Sequence, residues 1–265
     1  MTEPRVAIIT GAARGIGAAT ARRLGADGWQ LVLLDRCADD AGLAYPLATE
    51  DELRSLCADL GGDERAVAVV GDVRDQAALD GAVAVAVERF GGLDAALAVA
   101  GGISGGQPVW ETGDAVWSTM LGVNVEGVWR LARSAVPALL ARPTPRNGRF
   151  VAVASAGGTL GLPLLAAYSA AKHAVIGLTR SLAAELGPEG ITVNAVAPGS
   201  TSTAMLDASA AIYGLDGTAE FASHHQLGRL VEPDEVAAAL AWLCSADSGA
   251  VTGAVLAVDA GMTAS

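Results

Sequence analysis

The sequence predicts an α/β fold: one doubly wound domain over residues 1–265, with a seven-stranded parallel sheet and helices on both faces. Three observations predict it. Apolar runs of strand length recur seven times, and none alternates cleanly with polar residues, so both faces of each strand are expected to be buried. Helical stretches separate the runs, the pattern of a parallel sheet built from crossovers. No linker, repeat or shift in composition marks a second domain.

In chain order, the strands are expected at 6–9, 31–34, 66–70, 95–99, 150–153, 191–196 and 254–258. The helices are expected at about 15–27, 50–60, 75–90, 113–141, 167–187 and 233–246. Gly28 after the first helix and Gly187-Pro188 after the fifth read as stop signals. Thr49 followed by Glu52 reads as a capping box that opens the second helix.

Composition narrows the function. The apolar fraction of 52% and mean hydropathy of +0.41 suffice for a substantial core. A net charge of −12 argues against nucleic acid and anionic membrane surfaces as partners. The longest charge-free run, between Arg149 and Lys172, holds Gly157, Gly158, Gly161 and Pro163 and reads as strand, loop and helix start rather than a membrane span. The N-terminus lacks a signal-peptide pattern. Cys37, Cys57 and Cys244 are scattered and odd in number, which fits a reducing cytosol better than a disulfide framework or a metal site. A cytoplasmic protein is expected.

The first strand runs into Thr10-Gly11-Ala12-Ala13-Arg14-Gly15-Ile16-Gly17. Glycines there let the backbone turn sharply and approach a pyrophosphate seated on a helix N-terminus. Asp35 ends the second strand, 24 residues after Gly11, where a carboxylate accepts hydrogen bonds from an adenosine ribose. The same charge repels a 2′-phosphate, favouring NAD over NADP. Arg14 and Arg36 argue the other way, because Arg pairs with phosphate; the fixed position of Asp35 outweighs them. Asp72-Val73, after the third strand, is compatible with adenine recognition or with a helix cap.

Lys172 is the only lysine among 17 basic residues. It follows Tyr168 by four positions, which places both on one helix face, a turn apart. An ammonium beside a phenol favours phenolate and makes the tyrosine a usable acid and base near neutral pH.

Together these residues resemble the short-chain dehydrogenase/reductase family, along essentially the whole chain. The resemblance rests on Thr10-Gly-x-x-x-Gly15-Ile16-Gly17, Asp72-Val73, Ala100-Gly101, Asn124, Ser155, Tyr168-x-x-x-Lys172 and Pro198-Gly199. It implies a Rossmann fold and an NAD-dependent enzyme. Tyr168 would exchange a proton with the substrate oxygen, which Ser155 orients. Lys172 would lower the Tyr168 pKa and bind the nicotinamide ribose. Asn124 would anchor a water joining Lys172 to solvent. The resemblance also implies a homotetramer built through the helices near 113–141 and 167–187 and the last strand.

Two departures from the family pattern stand out. Ala98-Val99-Ala100-Gly101 replaces the usual Asn-Asn-Ala-Gly, which puts the bonding between neighbouring strands in question. Residues 36–54 form an insertion after the second strand, with Tyr45-Pro46-Leu47 semi-apolar and able to fold over the adenosine. This insertion resembles a branch associated with mycofactocin, a peptide-derived redox carrier, in which NAD is thought to stay bound and be reoxidised in place.

Residues 200–230 are expected to form the substrate lid, with Thr201 and Thr203 reaching the nicotinamide. Leu206, Ile212, Tyr213, Leu215 and Phe221 would line an apolar pocket, joined by Leu164, Leu165, Trp110 and Trp117. His224 and His225 read as surface or pocket-wall residues, not metal ligands. The substrate class is then a small apolar secondary alcohol or ketone, alicyclic or terpenoid. Two other readings are a 3-oxoacyl thioester reductase using NADPH, opposed by Asp35, and a non-catalytic dinucleotide sensor or scaffold, opposed by the Ser155, Tyr168 and Lys172 set.

Overall fold

The computed structural model describes residues 4–264. The strands are β1 (Val6–Thr10), β2 (Gln30–Asp35), β3 (Ala66–Val70), β4 (Ala95–Ala98), β5 (Gly148–Val153), β6 (Ile191–Pro198) and β7 (Val255–Val258). They form one sheet in the order β3-β2-β1-β4-β5-β6-β7, every pair parallel. The helices are α1 (Gly15–Ala26), α2 (Glu50–Asp59), α3 (Gln76–Phe90), α4 (Asp114–Leu121), α5 (Gly127–Leu140), α6 (Ala166–Leu186), α7 (Ala204–Tyr213) and α8 (Pro233–Cys244).

The unbroken apolar runs have a simple cause. Val6 and Ile8 of β1 enter a core shared with α3, α5 and α6, while Ala7 and Ile9 enter the opposite core with α1, α2 and α8. Neither face of the strand meets water. The chain winds outward from β1 to β3 and then returns to β4 on the other side of β1. That reversal opens a crevice beyond the carboxyl ends of β1 and β4, the usual ligand site of such sheets.

Thr10 supplies the bonding that the Ala98-Val99 departure put in question. Its buried hydroxyl accepts from the Val99 and Ala100 N–H groups, both at 3.2 Å, and donates to the Leu97 carbonyl at 3.4 Å. One side chain on β1 thus fixes the end of β4. Thr49 and Glu52 form the expected capping box at α2.

The structure departs from the sequence reading in two helices. The single helix expected at 113–141 is α4 and α5 joined by a π-turn over Gly122–Glu126. The lid, for which no helix had been named, contains α7 and a 3₁₀ turn, Ala219–His224. Its two ends are paired by a parallel bridge between Thr201 and Val231, so the whole excursion leaves from and returns to one point.

Gly17 sets how closely α1 approaches β1. A Cβ there would lie 2.0 Å from the Gly11 carbonyl oxygen. Gly17→Ala is therefore expected to push α1 off the sheet, cost roughly 1–3 kcal/mol and weaken nucleotide binding. Thermal melting checks the first effect and nucleotide titration the second; an unchanged melting temperature contradicts the close approach.

Candidate active site

Beyond the ends of β1, β2 and β4 lies a cleft of about 980 Å³. Gly11, Arg14, Gly15, Ile16, Gly17, Asp35, Arg36, Asp72, Val73, Ala100 and Gly101 all line it. Gly11 turns the chain with φ +66°, and a Cβ there would meet the Ala100 backbone at 2.6 Å. No side chain caps the N-terminus of α1 and no acidic residue lies in its first turn, so its N–H groups suit an anion. Asp35 accepts from the Ala13 N–H at 3.0 Å and from the Cys37 N–H at 3.3 Å, which fixes its carboxylate at the rim. The two arginines that argued for a phosphate are engaged elsewhere. Arg14 donates to the Pro46 carbonyl at 2.6 Å, and Arg36 is paired with Asp40.

The insertion is a strap across this cleft. Asp40, Leu43, Tyr45, Leu47 and Ala48 line the cleft from its outer side. The Tyr45 hydroxyl accepts from the Ile103 N–H at 3.3 Å, beyond the end of β4. Gly42 lies against Thr119 of α4, and Leu43 against Gly102. Burial pushes the Tyr45 phenol above its ordinary pKa.

A second cavity, of about 810 Å³, adjoins the first and shares Ile16, Val99, Gly101, Thr203 and Met205 with it. Ser155, Tyr168, Lys172, Pro198, Gly199, Thr201 and Thr203 line it. Ser155 caps the turn after β5, accepting from the Gly157 N–H at 3.1 Å, and its hydroxyl is in hydrogen-bonding reach of the Tyr168 phenol. Lys172, buried one turn along α6, donates to the Val153 carbonyl at 2.9 Å and lies 5.8 Å from the Tyr168 ring centroid. Asn124 sits in the π-turn, fully buried. Its amide clasps the Gly102 backbone, accepting at 3.2 Å and donating at 3.0 Å, and donates to the Met120 carbonyl at 3.1 Å. A Cβ on Gly101 would stand 3.0 Å from Asn124 Oδ1 and 3.5 Å from Lys172 Nζ, so the two side chains converge on that glycine. π-turns of this kind recur at functional sites because the extra residue re-aims a side chain.

Comparison with known proteins decides the family. The family described as enoyl-(acyl carrier protein) reductase matches residues 11–263. The chain is 37% identical over 273 residues to (-)-trans-carveol dehydrogenase of Rhodococcus erythropolis, covering 98% of each chain. It belongs to the short-chain dehydrogenase/reductase family. An uncharacterized NAD-dependent oxidoreductase of Mycobacterium tuberculosis is 38% identical over 277 residues, covering 97% of this chain and 95% of the relative. The crystal structure of carveol dehydrogenase from Mycobacterium avium in complex with NAD superposes with a TM-score of 0.92 at 38% identity, covering 100% of this chain and 99% of that one.

Against the expectations drawn from that family, three details differ. The Tyr168 phenol is pushed up in pKa, not down: burial raises it, the nearby Tyr45 adds to the rise, and Ser155 only partly opposes it. The Lys172 ammonium donates to the Val153 carbonyl and does not reverse that rise. Trp110, at 81% exposure, and Trp117, at 42%, stand on the surface away from the cavity. Leu162, Pro163 and Leu165 line the cavity where Leu164 was expected, and Ile212 packs behind it while Leu206, Tyr213, Leu215 and Phe221 line it. His224 is in the cavity wall; His225 is buried, its Nε2 accepting from the Ser200 N–H at 3.1 Å. No cluster of three metal-ligating residues occurs among the described residues. Sequence reasoning did not single out Asp40, Leu43 or Met205. The signal for α7 was present, since Leu206 and Ala210 repeat at helical spacing and are its buried face.

Burial pulls Lys172 down from 10.5 to about 8. The folded protein therefore sheds this proton before the unfolded chain does. Between pH 8 and pH 10.5 the unfolded state binds more protons, and the group's contribution to stability grows as pH rises. The melting temperature of nucleotide-free Lys172→Met, minus that of the parent, is expected to fall across that window and to be flat below it. A difference constant from neutral to alkaline pH contradicts the depressed value.

Proposed function

We propose that this enzyme interconverts a secondary alcohol and its ketone on a small apolar, alicyclic or terpenoid-like substrate, using NAD. One observation carries the reading: Ser155, Tyr168 and Lys172 stand together in a cavity that adjoins the cleft lined by the Gly11–Gly17 turn and Asp35. The residues present fit the dinucleotide. The uncapped start of α1 suits its pyrophosphate, and the Asp35 carboxylate at the end of β2 suits an adenosine ribose.

When bound, NAD supplies a nicotinamide that accepts or gives a hydride. The chain's own residues do the rest. Tyr168 takes the proton from the alcohol oxygen, or returns it to the ketone oxygen. Ser155 donates to that oxygen and orients it. Lys172 is mostly protonated at neutral pH, and its positive charge stabilises a phenolate forming at Tyr168. Asn124 holds the Gly102 backbone and anchors the solvent link to Lys172. Pro198, Gly199, Thr201 and Thr203, which line the same cavity, would hold the nicotinamide end of the cofactor. Leu206, Tyr213, Leu215 and Phe221 exclude water from the substrate side.

The strap supports a finer reading. A closed cover slows cofactor release, so NAD stays bound and is reoxidised in place by a carrier such as mycofactocin. No helix among the described residues is long and apolar enough to cross a membrane, in keeping with a cytoplasmic enzyme. A homotetramer built through α4, α5, α6 and β7 belongs to the same reading; Trp117 and Trp129 leave apolar surface on those helices. The NADPH-dependent thioester reductase is disfavoured by Asp35 and by the engagement of Arg14 and Arg36.

Tyr168→Phe is expected to lose at least about 10²-fold in turnover on alicyclic alcohols while NADH binding, followed by fluorescence titration, stays near that of the parent. Retained turnover removes Tyr168 from the role of acid and base.

A further inference from the structure

Four charged side chains meet at the adenosine end of the cleft: Arg36, Asp40, Asp72 and Arg74. Asp40, contributed by the strap, is the most buried of them at 8% exposure. Its Oδ2 is paired with Arg36 and also accepts from Arg74 Nη2 at 2.5 Å. The Gly42 N–H holds it from behind at 2.8 Å. Asp72 completes the cluster, 2.6 Å from Arg74 and 3.5 Å from Arg36. The two guanidinium charges are thus matched by two carboxylates.

We propose that Asp40 is a cofactor-specificity residue that denies the cleft its 2′-phosphate receptor by holding Arg36 and Arg74. The inference rests on reading the cleft as the dinucleotide site. Arg36 directly follows Asp35, so any phosphate carried on the ribose that Asp35 receives arrives beside Arg36. In a cleft built for that phosphate, such an arginine would turn toward it and pair with it. Here it cannot do so without leaving the buried Asp40 carboxylate partly unpaired, a costly state. Exclusion of NADP then has two separate parts. Asp35 repels the phosphate, and Asp40 removes the cations that would offset that repulsion. Because Asp40 belongs to the insertion, the segment that covers the nucleotide also selects it.

The two parts predict a non-additive result. Binding of NADH and NADPH is measured by fluorescence titration on nucleotide-stripped parent, Asp35→Ala, Asp40→Asn and the double variant. Asn at 40 keeps an acceptor for the Gly42 N–H and nearly the same volume. Each single change should raise the NADPH-to-NADH affinity ratio only modestly. The double variant should exceed the product of the two single effects by about tenfold or more. Adding Arg36→Gln to the double variant should erase that excess. A double variant no better than the product of the singles overturns the proposal while leaving the cleft reading intact. A parent that binds neither nucleotide overturns both. Should Asp40→Asn fail to fold, Arg36→Gln in the Asp35→Ala background still decides: an unchanged NADPH affinity supports a locked Arg36, and a loss of about tenfold shows that Arg36 is already free and overturns the proposal.

Discussion

The seam between the two cavities is where the structure holds together as an enzyme. Leu43 of the strap, Ile103 after β4, Met120 of α4, and Leu165, Ala167 and Tyr168 around the start of α6 form one buried apolar cluster. Met205, Ala208, Ile212 and Tyr213 of the lid pack against it. The strap, the lid and Tyr168 therefore share one core. This arrangement makes the Tyr168 environment dry, which is why both Tyr168 and Lys172 are driven toward their neutral forms. It also means that the strap cannot lift without disturbing the packing around Tyr168.

Electrostatics divides the site into unlike halves. At the catalytic end Lys172 is buried with a backbone carbonyl as its hydrogen-bond acceptor, and burial alone accounts for its lowered pKa. A charge held this way is poised to respond to any negative charge that develops near it. At the adenosine end the reverse holds. Arginines and carboxylates are saturated with one another, and Asp35 at the rim is fixed by backbone donors.

The parallel sheet covered on both faces was legible in the chain, since seven unbroken apolar runs alternate with helical stretches; its strand order appeared only in the structure. That Gly11, Gly17 and Asp35 lie together at one cleft was legible too, because they stand at fixed offsets from strand ends. What the sequence hid depended on distant contacts. The π-turn that aims Asn124 inward leaves no mark in an apolar helical pattern. Trp110 and Trp117 were assigned to the pocket on hydrophobicity alone, which says nothing of direction. The sign of the Tyr168 shift required knowing how deeply the phenol is buried and that Tyr45 lies close by. The path of the strap was readable as a possibility from Tyr45-Pro46-Leu47, but its latch on Ile103 was not.

If the strap closes the cleft as its contacts with Ile103, Gly102 and Thr119 indicate, bound nucleotide should outlast purification. The direct measurement is to desalt the purified protein extensively with no nucleotide added, denature it, and identify what is released by mass spectrometry. The account predicts NAD(H) in near-stoichiometric amount. An empty protein that turns over only when free NAD is added would contradict it, and would make residues 36–54 a loop beside an ordinary exchanging site.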